Sequence, residues 1–260
     1  MKPEKSIAIF FSKGALGDCA RHAILQSVDN ESVTKVKVFS TAIETLEDKD
    51  WKCGCSVDHG EQLKSSPNLN KLKVSQIKSF DCDYETFSKE VDLQGVDAVI
   101  TGLGNRQIFL GDRVAKRGIS NILRCMKENG VNRLIAMSSM GLDSKLGNDK
   151  PCMEWRKEGK FMELLFKTIC RREYNDLVGA ENEVATSGID YTVVRPVGLG
   201  EKVFPSEKYF IQKQKFEDVL CPNMAKSDVS RFLIDEVLQP SYIKKAVVIG
   251  GDPKDSEISF

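Results

Sequence analysis

The chain has 260 residues, 29% charged and 41% hydrophobic, with 38 Lys+Arg against 38 Asp+Glu. That length supplies the core of one α/β domain with embellishments, or of two small domains at most. A formal net charge of zero excludes a general attraction to nucleic acid or to acidic membranes, and no window of ~20 apolar residues is present to span a bilayer.

The start, MKPEKSIAIF, is charged and passes straight into an apolar run, without the apolar core of a signal peptide. Eight cysteines are scattered through predicted helices and strands, which points to reduced thiols and a cytoplasmic protein. An organellar location with a removed transit peptide is also compatible with the sequence.

Ile7–Phe11 reads as a buried strand, Ser12–Gly17 as a glycine turn, and Asp18–Leu25 as the start of a helix with apolar Ala20, Ala23 and Ile24. Lys35–Ser40 alternates as a second strand. Leu46–Asn70 is polar, has no clear period, and reads as a long, partly mobile loop insertion. Leu72–Ser79 is a third strand and Tyr84–Val91 a short helix. A turn at Gly95 precedes a buried strand ending at Gly102-Leu103-Gly104. Asp112–Asn129 carries a helical apolar stripe that Gly130 caps. Arg133–Met137 is a strand closing on Ser138 and Ser139. Met153–Ile169 and Tyr174–Thr186 read as helices, Asp190–Val194 as a strand halted by Pro196, Ser227–Leu238 as an amphipathic helix and Ala246–Ile249 as a last strand.

Strands alternating with helices predict a doubly wound parallel sheet with helices on both faces. The sequence predicts one domain over residues 1–260, with the 46–70 insertion and a small C-terminal substrate lobe over 196–226. Ligands of such sheets bind at the carboxyl ends of the strands. The loops after Phe11, Ser40, Ser79, Thr101, Met137 and Val194 should therefore border one cleft. Strand, glycine turn and helix at the N-terminus form a geometry that aims backbone N–H groups and a helix N-terminus at a phosphate. A lone Gly-x-x-Gly is nonetheless a weak signal.

Three blocks, GVDAVITGLGNRQ, ISNILRCMKENGVNRLIAMSSMGL and ENEVATSGIDYTVVRP, resemble the atypical short-chain dehydrogenases with an NAD(P)-binding Rossmann fold. That group includes the NmrA-like regulators and the biliverdin-IXβ/flavin reductases. The resemblance runs from Ser6 to about Pro196, and more loosely over Ser227–Gly250; Leu103-Gly104-Asn105-Arg106 matches the Leu-Gly-x-Arg loop of the reductases. It implies that Gly14 and Gly17 bind the cofactor pyrophosphate, with Ser12, Lys13, Ala15 and Leu16 of the same turn also at the cofactor. It also implies that Ser40 lies at the ribose and Asp81 near the adenine. Gly102, Leu103, Gly104 and Arg106 would pass along the cofactor, with Pro196 beside the nicotinamide. Ser138, Ser139 and Tyr174 fall at the positions of the family's catalytic residues.

Three departures qualify the resemblance. Phe11 replaces the glycine of the tight turn; in a left-handed conformation a bulky residue there would cost about 1–2 kcal/mol, so the turn should have an altered shape. The second strand ends in Ser40 and Thr41, not in an acid or an arginine. Lys13 then becomes the candidate partner of a 2′-phosphate, which favours NADP modestly, with NAD still accommodated. The lysine of the family's Tyr-x-x-Lys is Leu177. Without that ammonium a tyrosine of pKa ~10 is about 0.1% ionised at neutral pH, so tyrosine-driven carbonyl–alcohol chemistry is not expected.

Cys53-Gly-Cys55, His59 and Asp58 bring metal-ligand types together, but the better reading is a thiol-bearing loop without a metal. Arg171 and Arg172 read as a solvated face and Arg195 as a structural residue pairing across the sheet edge. The expected function is NAD(P)H-dependent reduction of a small conjugated acceptor such as a flavin, a quinone or a tetrapyrrole. The alternative is a catalytically silent, NmrA-like dinucleotide sensor that binds a protein partner. Neither reading involves nucleic acid or a membrane.

Overall fold

The computed structural model describes residues 4–12, 15–43, 45–47, 51, 58–104, 114–139, 142, 144, 146, 168, 171–196, 198–200, 209–212 and 224–251. Lys13, Gly14, Cys53, Cys55 and Arg106 lie outside them, as does almost all of the helix predicted over Met153–Ile169.

The strands are β1 Lys5–Phe11, β2 Val33–Ser40, β3 Leu72–Gln76, β4 Ala98–Gly102, β5 Arg133–Met137, β6 Asp190–Pro196, β7 Leu199–Gly200, β8 Phe210–Gln212, β9 Met224–Ala225 and β10 Lys245–Gly250. The helices are α1 Ala15–Asp29, α2 His59–Ser65, α3 Tyr84–Glu90, α4 Val114–Glu128, α5 Arg171–Thr186 and α6 Lys226–Leu238. The main sheet runs β3-β2-β1-β4-β5-β6-β10-β8. The first seven strands in that order are parallel, and β8 closes the edge antiparallel to β10. This is the doubly wound α/β Rossmann arrangement expected from the sequence. Strand order reverses between β1 and β4, and β4 and β5 are inner strands.

The inner strands are apolar throughout because both of their faces are covered. Ile7, Ile9 and Phe11 project to one side, with α1, α2 and α6, while Ala8 and Phe10 project to the other. Helix α4 turns Ile119, Ile122, Leu123 and Met126 onto that second side, and Leu177 and Val184 of α5 join them. Gly130 ends α4 with φ +69°, as its predicted capping role requires.

Two expectations need correction, those for Pro196 and for Arg195. Among the described residues of the 46–70 stretch, Asp58 caps α2, Leu69–Lys71 forms a 3₁₀ turn, and Trp51 and Leu63 are fully buried. Trp51 and Leu63 are apolar anchors without the periodicity that a sequence reading needs. β6 runs through Pro196, which pairs in register with Ile249, so the proline does not halt it. A proline lacks only its own N–H, and at the end of a strand that donor is dispensable. Of the predicted C-terminal lobe, the described parts are the β7–β9 pair and β8, and β8 belongs to the main sheet. Arg195 does not pair across a sheet edge. Its Nε and Nη2 donate to both carboxylate oxygens of Glu181 on α5, at 3.0 and 2.6 Å, and Nη2 also reaches Ser144.

Candidate functional site

Register alone brings the ends of three strands together: Phe11 is paired with Ser40 on one side and with Gly102 on the other. The chain then leaves β1 through Ser12, whose N–H donates to the Gly102 carbonyl at 3.3 Å. The Gly104 N–H donates to Ser12 Oγ at 2.9 Å, and Ser12 Oγ donates back to the Gly104 carbonyl at 2.5 Å. Ser12 therefore joins the glycine turn to the loop after β4.

Gly17 lies against that turn so closely that a Cβ would sit 1.8 Å from the Ser12 carbonyl oxygen. No side chain fits there. Leu16 packs over Gly104, and its carbonyl approaches Gly102, where a Cβ would lie 2.8 Å from it. Leu16, Gly17, Gly102 and Gly104 thus let the first turn of α1 close onto the end of β4. The N-terminus of α1 consequently opens at the point where strand order reverses, the crevice in which such sheets bind dinucleotides.

Phe11 explains its own presence. It occupies the last position of an extended strand, and no described non-glycine residue except Lys244 has a positive φ. Its ring points into the core, 6.4 Å from the Trp51 ring and 5.1 Å from the Arg21 guanidinium. No left-handed strain arises, and the glycine turn begins one residue later.

Asp18, in the first turn of α1, would repel a phosphate if left uncompensated. Arg21 Nη1 and Lys226 Nζ each bind one of its carboxylate oxygens at 2.7 Å, and both cations are almost wholly buried. This buried cluster neutralises the acid at the helix end that faces the crevice.

At β2, Ser40 is fully buried, and its Oγ accepts the Ala42 N–H at 3.2 Å. Among the described residues from Ser40 to Ile43 there is no acid and no arginine. Asp81 lies on the loop after β3, where the Ser79 hydroxyl donates to its carboxylate. Pro196 is buried at the end of β6.

Ser138 continues the parity of Leu134 and Ala136, toward α4 and α5. Its Oγ is buried with no hydrogen-bond partner among the described residues. It borders a cavity of about 20 Å³, space for one water, which Thr101, Leu177 and Glu181 also line. Ser139 is half-buried. Tyr174, likewise half-buried, packs against the apolar cluster on the α4–α5 side. Leu177 is buried in that cluster, so the position at which the resemblance implies a lysine is core here.

Sequence reasoning missed several positioning residues. Asp176 of α5 accepts the N–H groups of Ala115 and Lys116 at 2.9 and 3.1 Å, capping α4 from a neighbouring helix. His59 Nε2 lies 3.1 Å from His22 Nδ1, and His59 Nδ1 lies 3.1 Å from the Trp51 carbonyl. Burial is the chief cause that lowers both imidazole pKa values, His22 to about 4. Among the described residues no cluster of three or more metal-ligating side chains occurs.

Residues 37–240 match the model of a family described as NAD(P)H-binding. The chain belongs to this NAD(P)H-binding family. The matched span begins inside β2, so the assignment of β1 and the glycine turn rests on the geometry above. No curated protein matches the sequence. Among solved structures, this NAD(P)H-binding chain is similar to a wide-type short-chain dehydrogenase/reductase from Veillonella parvula in complex with NADP (TM-score 0.64, 12% identity, covering 98% of this chain and 100% of that one). It is also similar to an oxidoreductase from Lactococcus lactis (TM-score 0.59, 17% identity, 94% and 90% covered). A third is a Streptococcus pneumoniae protein provisionally described as an NADH-flavin reductase (TM-score 0.58, 12% identity, 95% and 100% covered). At these identities the likeness shows the shared fold.

Proposed function

We propose that this protein is an NAD(P)H-dependent reductase of a small conjugated acceptor: a flavin, a quinone or a tetrapyrrole. The observation that carries the reading is the crevice at the β1–β4 reversal, where Ser12 ties the glycine turn to Gly104 and α1 opens behind Gly17. The residues there fit a dinucleotide: backbone N–H groups for a pyrophosphate, glycines that allow close approach, and an acid already neutralised by Arg21 and Lys226.

When bound, the nicotinamide supplies a hydride. The protein's own residues bind, orient and exclude. Ser12, Leu16, Gly17, Gly102 and Gly104 hold the cofactor side, and Ser139 and Tyr174 border the acceptor side. Leu177 carries no charge and lies in the core, so position 177 offers no ammonium to a phenolate. This favours acceptors that take a hydride at a conjugated carbon or nitrogen and a proton from solvent. NADP is the preferred cofactor, through Lys13, and the margin over NAD is modest because Ser40 and Thr41 add no charge. The protein acts in the cytoplasm on a small molecule, without nucleic acid or membrane. No helix among the described residues is long and apolar enough to cross a bilayer.

A silent dinucleotide sensor with a protein partner is the second reading, and the burial of the Ser138 hydroxyl favours it. Cofactor oxidation with flavin, quinone and biliverdin separates the two. Turnover of at least one acceptor supports the reductase. Tight dinucleotide binding with no turnover of any of them supports the sensor.

A further inference from the structure

Asn121 lies on α4, is buried, and faces the loop after β3. Its Nδ2 donates to the Phe80 carbonyl at 2.9 Å and to the Cys82 carbonyl at 3.0 Å. Both partners are acceptors, which fixes the amide orientation: the oxygen turned that way would face two carbonyl oxygens. The two bonds straddle Asp81. One helical turn earlier, Gly118 leaves room for the same loop, since a Cβ there would lie 3.0 Å from Phe80 Cβ and 2.9 Å from Leu103 Cδ1. α4 therefore grips residues 80–82 by a close approach and by two hydrogen bonds.

Topology says what that loop is for. In a doubly wound sheet the end of β2 meets the ribose next to the adenine. Here β2 ends at Ser40, whose carbonyl accepts the Ile77 N–H at 2.9 Å, where the chain leaves β3. The stretch from Ile77 to Cys82 is thus the next wall outward on the adenosine side. Inside it the Ser79 hydroxyl donates to the Asp81 carboxylate and Cys82 Sγ reaches the Ser79 carbonyl.

We propose that Asn121 is a positioning residue for the adenosine half of the dinucleotide: by holding the carbonyls on both sides of Asp81 it fixes the wall against which that half binds. This rests on the dinucleotide-binding reading above. Among the described residues the hydrogen bonds of Asn121 go to the Phe80 and Cys82 carbonyls, so its effect falls on that half of the ligand.

The test compares NADPH with reduced nicotinamide mononucleotide, which lacks the adenosine half. The variants are Asn121→Leu, Asn121→Asp and Asp81→Ala. Each Asn121 variant should weaken NADPH about tenfold, the order expected from losing one to two buried hydrogen bonds. Each should leave the mononucleotide within about twofold. Merely loosening the fold would weaken both ligands together. Asp81→Ala alters the same wall at a half-buried position outside the core, so it keeps the question open to measurement even if the Asn121 variants do not fold. It should show the same split. A wild-type protein that binds NADPH, with Asn121 or Asp81 variants whose NADPH affinity is unchanged or whose two affinities fall in parallel, overturns the inference and leaves the function standing. A wild-type protein that binds no dinucleotide overturns both.

Discussion

The hydroxyl of Ser12 engages both backbone groups of Gly104, accepting from its N–H at 2.9 Å and donating to its carbonyl at 2.5 Å. Two loops that are 92 residues apart in sequence become one wall of the crevice. Ser12→Ala leaves a part-buried N–H and a part-buried carbonyl without this partner, a loss of about 1–3 kcal/mol. Thermal unfolding should show the loss, and NADPH affinity should fall with it. Unchanged stability and unchanged affinity in this variant would show that the two loops do not depend on each other.

Glu181 and Arg195 form a bidentate pair inside the protein. Removing one partner strands a buried charge, which typically costs about 3–5 kcal/mol. Glu181→Leu should therefore lower the urea midpoint sharply, while Glu181→Leu combined with Arg195→Met should recover most of the loss. A single variant within about 1 kcal/mol of wild type would mean that the pair is not buried as described.

His22 and His59 are held neutral, mainly by burial, and for His22 next by the neighbouring imidazole. The unfolded chain, with histidines near pKa 6.5, binds protons that the folded chain refuses. Stability is therefore full above about pH 6.5 and falls as the pH drops toward the folded His22 value of about 4. Denaturation midpoints measured from pH 7.5 to 4.5 should decline, and a His22→Phe variant should flatten the decline. A wild-type profile that is flat across this range would contradict the buried pair.

Leu177 separates two kinds of chemistry. Buried in the apolar cluster, it offers no ammonium to a phenolate, so no dehydrogenation of simple secondary alcohols is expected with either cofactor. Acceptor reduction should survive Tyr174→Phe within about tenfold, because a general acid typically contributes ~100-fold or more. A thousandfold loss with cofactor binding intact would make Tyr174 the proton donor after all.

The sequence made some of this legible and hid the rest for identifiable reasons. The strands β1, β4 and β5 showed as apolar runs because they are covered on both faces, and α4 showed through its stripe. Gly17 was visible because a turn entering a helix needs a residue without a Cβ at close approach. The packing of Phe11 against Trp51 and Arg21 was not visible, since 40 residues separate the two rings and nothing periodic links them. The same holds for Lys226, 208 residues from Asp18, and for Asn121, which acts on backbone carbonyls that any sequence would supply. Glu181 and Arg195 both sit in the block ENEVATSGIDYTVVRP, yet their pairing depends on how α5 lies on β6. Ser138 is the reverse case. Its position after β5 suggests chemistry, whereas strand parity turns its hydroxyl away into the cavity.

The crevice at the β1–β4 reversal should bind a nicotinamide dinucleotide, which a fluorescence titration with NADPH and with NADH measures. Binding should saturate at one dinucleotide per chain, with NADPH modestly tighter than NADH, each displacing the other, and the preference erased by Lys13→Ala. Failure of the folded protein to bind either dinucleotide at millimolar concentration would contradict it.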